Sequence, residues 1–240
     1  MRVTTTKPGL GAPLWFSVPE QFHHIDLTEA PEERIKRTYD ALTAVLRSAT
    51  AEQRLDMVVR QETMLSQLIS QGAIYVGNCI ARSDAPRSKI SIAQLSITMK
   101  EARLPARRPL SVLANALREP GRAREVRVLE YPAGEALAVG EEVRLKLPAP
   151  LRGTATNTHR VRQAQVIFPH PDGRHLVSLA LSTEHVDDWP QFLGILGKVA
   201  KSISFTEPQT NTISQRLAGM CDESSSVQRS PNSGQPPRSG

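Results

Sequence analysis

Between residues 125 and 182 the chain runs through strand-like segments separated by connections with no helical pattern. Residues 125–131 (EVRVLEY) lead into a Pro132-Ala133-Gly134 turn, then come 136–139 and 142–147, and 160–168 and 175–182 flank Pro171-Asp172-Gly173. An Asp-Gly pair between two apolar-rich runs is a strong hairpin signal, because Gly accepts a positive φ and Asp bonds its own backbone. Parallel neighbours would need a crossover of a dozen or more residues, usually a helix. Residues 148–159 read as a loop, no βαβαβ rhythm is present, and no internal repeat is visible. The chain is therefore expected to build an antiparallel sheet.

Helices bracket these strands, so they are expected to cover the sheet in an α+β fold. A short strand at 14–18 (LWFSV) ends at Pro19, and FHHIDL extends it or turns away. A helix opens at Thr28 or Glu29 with Pro31 in its first turn, where a missing N–H costs nothing. Thr50-Ala-Glu-Gln53 has the capping-box form and opens a second helix with Leu55, Val58, Val59, Glu62, Leu65, Leu68 and Ile69 on one stripe. Glu62 is the one charge in that stripe, and Gly72 is a natural stop. Strands are expected at 73–82 and 90–99. The apolar parity shifts between Ile92 and Leu95, which predicts a β-bulge near Ala93-Gln94. Residues 109–118 read as a short helix. A last helix from Asp187 to Ile203 presents Trp189, Phe192, Leu193, Leu196, Val199, Ala200 and Ile203, with acids at its start and lysines at its end to suit the dipole.

Apolar residues make up 39% of the 240 and aromatics 4%, which is lean for a chain packed throughout. The segment from about residue 206 explains this, being rich in Ser, Pro, Gly and Gln with no aromatic. It cannot bury enough apolar surface to offset roughly 1–2 kcal/mol of ordering entropy per residue. The expected organisation is a flexible N-terminus at 1–11, a single α+β domain at 12–205 and a disordered tail at 206–240. Two cysteines exclude a disulfide scaffold, and no apolar run is long enough for a membrane helix. Thr4, Thr5, Thr6, Lys7, Pro8 and Gly9 occupy the window where a secretory signal would be apolar, so a cytoplasmic location is expected.

The element order of strand, helix pair, meandering sheet, long hairpin and terminal helix, closed by LVSLALST and DDWPQFLGILGKVAKSISF, resembles the PsbP-like (Mog/PsbP/DUF) fold. That fold includes LpqN-type and many uncharacterised actinobacterial proteins. The resemblance covers about residues 12–205 and is most specific at 160–205. It implies a binding role, since the fold serves partners as different as a small GTPase and photosystem subunits. LpqN-type members carry a lipobox that this sequence lacks, so surface anchoring is not implied.

Catalytic motifs are missing. Gly194-Ile-Leu-Gly197-Lys198 has the wrong spacing for a phosphate loop and Val199 in place of its hydroxyl. Its two glycines are expected to allow close helix packing. There is no G-x-S-x-G elbow, and Cys79, inside an apolar strand, reads as a small hydrophobe. His170 and His175 flank the hairpin turn with Asp172 between them. Two histidines and a mobile carboxylate fall short of a closed metal site, so no metal and no cofactor is assigned. His23-His24-Ile25-Asp26 and Glu184-His185-Val186-Asp187-Asp188 each offer a general base without a matching nucleophile. The second is expected to be a loop leading into a capped helix.

Charge is uneven. Residues 82–124 hold ten Lys/Arg against three acids, a net +7, while residues 20–62 carry −3 and the 206–240 tail is neutral. A basic face attracts nucleic acid, anionic lipid or an acidic protein. The 82–124 segment has no aromatic residue on which bases could stack. The reading is a non-enzymatic protein-interaction or accessory module, with association with a secretion system as one pathway. Its acidic protein partner would meet Arg103, Arg107, Arg108, Arg122 and Arg124. The alternatives are a nucleic-acid-binding protein using the same arginines, and a hydrolase or metal-dependent enzyme built on His170, Asp172 and His175.

Overall fold

The structure, a computed structural model, describes residues 2–5, 12–47, 49–81, 83, 91–102, 109–118, 124–146 and 158–207. The expected disordered tail from 208 onward and most of the 148–159 loop lie outside them. Residues 1–207 group into one compact unit that contains every described residue.

Nine strands and four α-helices are described. In chain order they are β1 (Arg2–Thr5), β2 (Trp15–Val18), β3 (Phe22–His24), α1 (Pro31–Val45), α2 (Ala51–Ser70), β4 (Ala73–Ala81) and β5 (Ser91–Glu101). There follow α3 (Leu110–Leu117), β6 (Arg124–Tyr131), β7 (Gly134–Lys146), β8 (Thr158–Pro169), β9 (His175–Thr183) and α4 (Trp189–Lys201). The fold class is α+β. Seven strands form one antiparallel sheet in the order β3-β4-β5-β9-β8-β7-β6, and β1 pairs with β2 as a separate ribbon. Residues 2–5 of the segment expected to be flexible thus have a strand partner.

The long strands bury both faces, with neighbouring residues serving different cores. On one face Tyr75, Cys79, Leu95, Ile97, Phe168, Val177, Leu179 and Leu181 pack under α4 through Phe192, Leu196, Val199 and Ala200, together with Leu14, Phe16 and Val18. On the other face α2 covers one end through Leu65, packed on Val76 and Ile25. Helix α3 covers the opposite end through Ala114, packed on Val126 and Leu137. The strands between carry half-buried Gln94, Thr98, Gln165 and Ser178 and buried Ser96 on this face, with Gln165 Nε2 donating to Ser178 Oγ at 2.6 Å.

Local signals hold where the sequence placed them. Thr50 Oγ1 accepts from Gln53 N at 3.2 Å while Gln53 Oε1 accepts from Thr50 N at 2.9 Å, closing the capping box. Gly72 stops α2 at φ 83°, and a Cβ there would run into Met99 O. Glu62 is explained by Arg34, a buried α1 residue whose Nε and Nη2 donate to its carboxylate. Arg34 Nη1 also donates to Glu29 O at 2.9 Å and Asp26 O at 3.4 Å.

Five expectations are corrected. No bulge interrupts Ala93-Gln94: the β4–β5 register runs unbroken from Tyr75↔Ile97 to Ala81↔Ser91, and the irregularity lies at Ala73/Tyr75. Ile92 disturbed the parity because it sits opposite Ile80 on the other face, both exposed. The stripe of α2 is only partly used, since Val58 and Leu65 are buried while Leu55, Val59 and Ile69 stay exposed. The segment 136–139 and residues 142–146 of the next are one strand, β7, which runs through Gly140 without a break. The last helix is preceded by a single 3-10 turn, Val186–Asp188, and Asp188 sits at the N-cap with no side-chain cap bond. Among the described residues its buried Oδ2 has no hydrogen-bond partner. Finally, Gly194 and Gly197 pack against none of the described residues: a Cβ at either position would meet open space among them.

Strand β6 is an outer strand. Among the described residues its edge is guarded where Arg118, just past α3, donates from Nη2 (2.9 Å) and Nε (3.3 Å) to Val126 O.

Candidate functional site

Helix α4 crosses β9 and β8 and leaves the β6–β8 end of its face uncovered. The result is a groove of about 910 Å³, within the roughly 300–1,000 Å³ usual for binding clefts. Its floor comes from alternate residues of three strands, Leu129 and Tyr131 of β6, Ala138 of β7, and Ala164 and Val166 of β8. Trp189, Leu193, Leu196 and Gly197 of α4 form its wall. Leu129 and Leu193 remain exposed, at 39% and 42%. Gly197 matters here because it holds no side chain over the groove, so the wall is lowest at that turn of the helix.

The rim is charged. Arg162 lies over the Trp189 ring, 5.7 Å from its centroid, a cation–π contact worth about 0.5–1 kcal/mol at an exposed site. The β7–β8 register sets Glu142 opposite Arg162 and Arg144 opposite Arg160. Like charges facing each other across a ladder are unfavourable. Arg160 resolves part of this by turning to Glu142, with Nε–Oε1 2.9 Å and Nη2–Oε2 3.0 Å. Arg162 Nε stands 3.8 Å from Glu142 Oε2. Glu142 is held below the usual carboxylate range by the hydrogen bonds from Arg160, against the effect of desolvation, with the charges of Arg160, Arg162 and Arg144 adding to the shift. Arg160 and Arg162 therefore share one carboxylate, and with Arg144 opposite Arg160 the excess of positive charge lies along the β7–β8 ladder beyond the groove, whose own lining sets Arg124, Arg127 and Arg162 against Glu125, Glu141 and Glu142.

Of the five arginines proposed from the sequence, Arg103, Arg107, Arg108 and Arg122 lie outside the described residues. Arg124 opens β6, where its guanidinium is tied to Glu141 at 2.8 Å. Sequence counting missed Arg144, Arg160 and Arg162. They are dispersed along the chain and gather only through the β7–β8 register.

The histidine candidates have structural work. His170 is buried, its Nε2 donates to Pro13 O at 3.1 Å, and its Nδ1 accepts from Asp172 N at 3.2 Å. Its ring also meets Phe205, centroid to centroid at 4.7 Å. Asp172 is not mobile, because its Oδ1 accepts from Arg174 N at 2.8 Å and His175 N at 3.0 Å, and its Oδ2 lies 2.6 Å from His175 Nδ1. Burial opposes ionisation of Asp172, but those backbone bonds and the two histidines outweigh it and hold the carboxyl well below its ordinary value. His24 stacks on Tyr75 at 5.1 Å, and Asp26 accepts from Thr28 N and Oγ1 at 2.8 and 2.7 Å. His185 N donates to Thr183 Oγ1 at 3.0 Å. Burial pushes the Cys79 thiol up, away from the thiolate a nucleophile needs.

No protein-family model matches the chain. No curated protein matches it either. Among solved structures it is similar to the crystal structure of LpqN, involved in cell envelope biogenesis of Mycobacterium tuberculosis. The identity is 11% and the TM-score 0.40, with 85% of this chain and 91% of that chain covered. A likeness at this level carries no functional argument.

Proposed function

We propose that the chain is a non-enzymatic protein-interaction module that takes an acidic segment bearing an apolar anchor into the groove beside α4. The observation that carries this reading is the presence of exposed Leu129 and Leu193 in the groove, with the Arg144–Arg160 opposition two residues along the ladder from its rim at Glu142 and Arg162. An apolar side chain would settle between the two leucines. Carboxylates flanking it would relieve the Arg144–Arg160 opposition and speed encounter through the local field. Arg103, Arg107, Arg108 and Arg122 belong to the same proposal as further contacts for the acidic partner, as do the cytoplasmic location and the PsbP-like assignment of the fold.

A photo-reactive residue at Leu193 tests it in whole cells. The expected product is a cross-link to an acidic protein segment. It should be lost when Arg144 and Arg160 are both reversed to Glu, and should weaken as salt shortens the screening length below ~10 Å. Cross-links that survive both changes, or that fall on nucleic acid, would overturn the reading. Reversal of Arg107 and Arg108 to Glu should lower the same yield, and an unchanged yield removes those two from the surface.

A further inference from the structure

The β8–β9 hairpin brings His170, Asp172 and His175 together so that one ligand atom from each lies within 4.8 Å of the other two. We infer that these three residues form a binding site for a borderline divalent cation such as Zn(II) or Co(II), with water completing the coordination. This site is separate from the groove, and the inference does not depend on the proposed function.

The orientation of His170 supports it. A metal-bound imidazole usually donates its second N–H to a carbonyl or carboxylate, which fixes the tautomer and turns the free lone pair toward the metal. His170 Nε2 donates to Pro13 O at 3.1 Å, so Nδ1 carries the lone pair. That nitrogen faces the hairpin tip, 3.1 Å from Asp172 Oδ1. The Phe205 contact and burial hold the ring in this pose. Pro13 lies 157 residues away in the chain, so the tautomer is set by tertiary structure and is independent of the turn.

Asp172 supplies the charge. Its Oδ1 is occupied by the two backbone N–H groups that shape the turn, which leaves Oδ2 to coordinate. His175 Nδ1 now stands 2.6 Å from Oδ2, sharing a proton where the cation would sit. On binding, Nδ1 gives up that proton and Nε2 takes one from solvent, so a neutral ring stays neutral. Bonds of about 2.0–2.1 Å to a tetrahedral ion place ligand atoms about 3.3 Å apart. The Oδ2–Nδ1 pair therefore opens by under an ångström, while the widest pair closes. The cost is the 3.2 Å bond from Asp172 N to His170 Nδ1. Two imidazoles and one carboxylate favour Zn(II), Co(II) or Ni(II) over Mg(II) or Ca(II), which prefer oxygen ligands throughout.

The test is titration of untagged full-length protein with Co(II), followed by visible absorption, and displacement by Zn(II). One equivalent should bind, raise the melting temperature and leave Mg(II) without effect. His175→Gln should weaken binding by about tenfold or more, on the scale seen when metal-site partners are lost. Asp172→Asn keeps the Oδ1 acceptor of the turn and should weaken binding comparably. Metal-free melts of both variants show whether each is folded. If Asp172→Asn fails to fold, His175→Gln decides alone, because that ring is partly exposed. No binding at millimolar Co(II), or undiminished binding by folded His175→Gln, would overturn the inference.

Discussion

Arg34 offers a quantitative check on how the helical hairpin is fastened to the sheet edge. Its side chain is 3% exposed and that of Glu62 is 15% exposed. The guanidinium makes four hydrogen bonds, two to Glu62 and two to the carbonyls of Asp26 and Glu29. Removing one member of a buried pair costs about 3–5 kcal/mol, because the other charge is left without compensation. Arg34→Met leaves a carboxylate that keeps some contact with water, so the expected loss is near the lower end, about 3 kcal/mol. Glu62→Met leaves a guanidinium with almost none, and about 4 kcal/mol is expected. The double variant carries neither charge. Its loss should fall to about 1–2 kcal/mol, set by the two carbonyls that Arg34 no longer serves. Urea denaturation of the four proteins, compared at matched m-values, gives the coupling directly. A coupling of about 3 kcal/mol or more is expected. If each single change costs under about 1 kcal/mol, or the two losses simply add, the pair is screened by water and the reasoning fails.

Gly194→Ala and Gly197→Ala should each stabilise by about 0.5–1 kcal/mol, since both glycines are helical and a Cβ meets open space. Gly197→Ala should also lower the Leu193 cross-linking yield by raising the wall of the groove, whereas Gly194→Ala should not. Gly72→Ala should destabilise by about 1–3 kcal/mol in the same denaturation assay, from φ 83° and the approach of Met99 O. Asp172 titrates below its ordinary 3.8 in the folded state. It therefore adds stability that is complete above about pH 4 and is lost as the pH falls below that. In metal-free buffer the gap in urea midpoint between the native chain and Asp172→Asn should narrow from pH 6 to pH 3, and a constant or widening gap contradicts the assignment.

What could be read from the sequence was local. The capping box of Thr50 and Gln53, the stop at Gly72 and the Pro171-Asp172-Gly173 turn each depend on residues a few positions apart, so spacing alone reveals them. Glu62 stood out as a charge in an apolar stripe, but its meaning needed Arg34, 28 residues away and on another helix. Ile92 misled for a different reason. Reading a period of two assumes a single apolar face, and this strand also pairs Ile92 with Ile80 on the second face. The groove was invisible for the same physical cause as the arginine excess. Leu129, Arg144, Arg160 and Leu193 are scattered over 65 positions, and only strand register and the line of α4 bring them together. A charge count along the chain favoured 82–124, where arginines are near in sequence. Of those described there, Arg118 and Arg124 prove to be committed to Val126 O and Glu141.

The arginine beside Val126 has a bearing on how the molecule behaves in concentrated solution. An outer strand is a template on which another chain can crystallise its own backbone, one ladder bond after the next. Lay a second copy of β6 antiparallel and centred on Val126, and Glu125 falls opposite Arg127 in both directions, so the side chains invite the pairing. The central rung of that ladder would need the Val126 carbonyl, and Arg118 already holds it. Its removal would leave the fold almost untouched and the strand self-complementary. Arg118→Ala is thus a fault of solubility before it is one of stability, seen as concentration-dependent light scattering from a protein whose melting curve has scarcely moved.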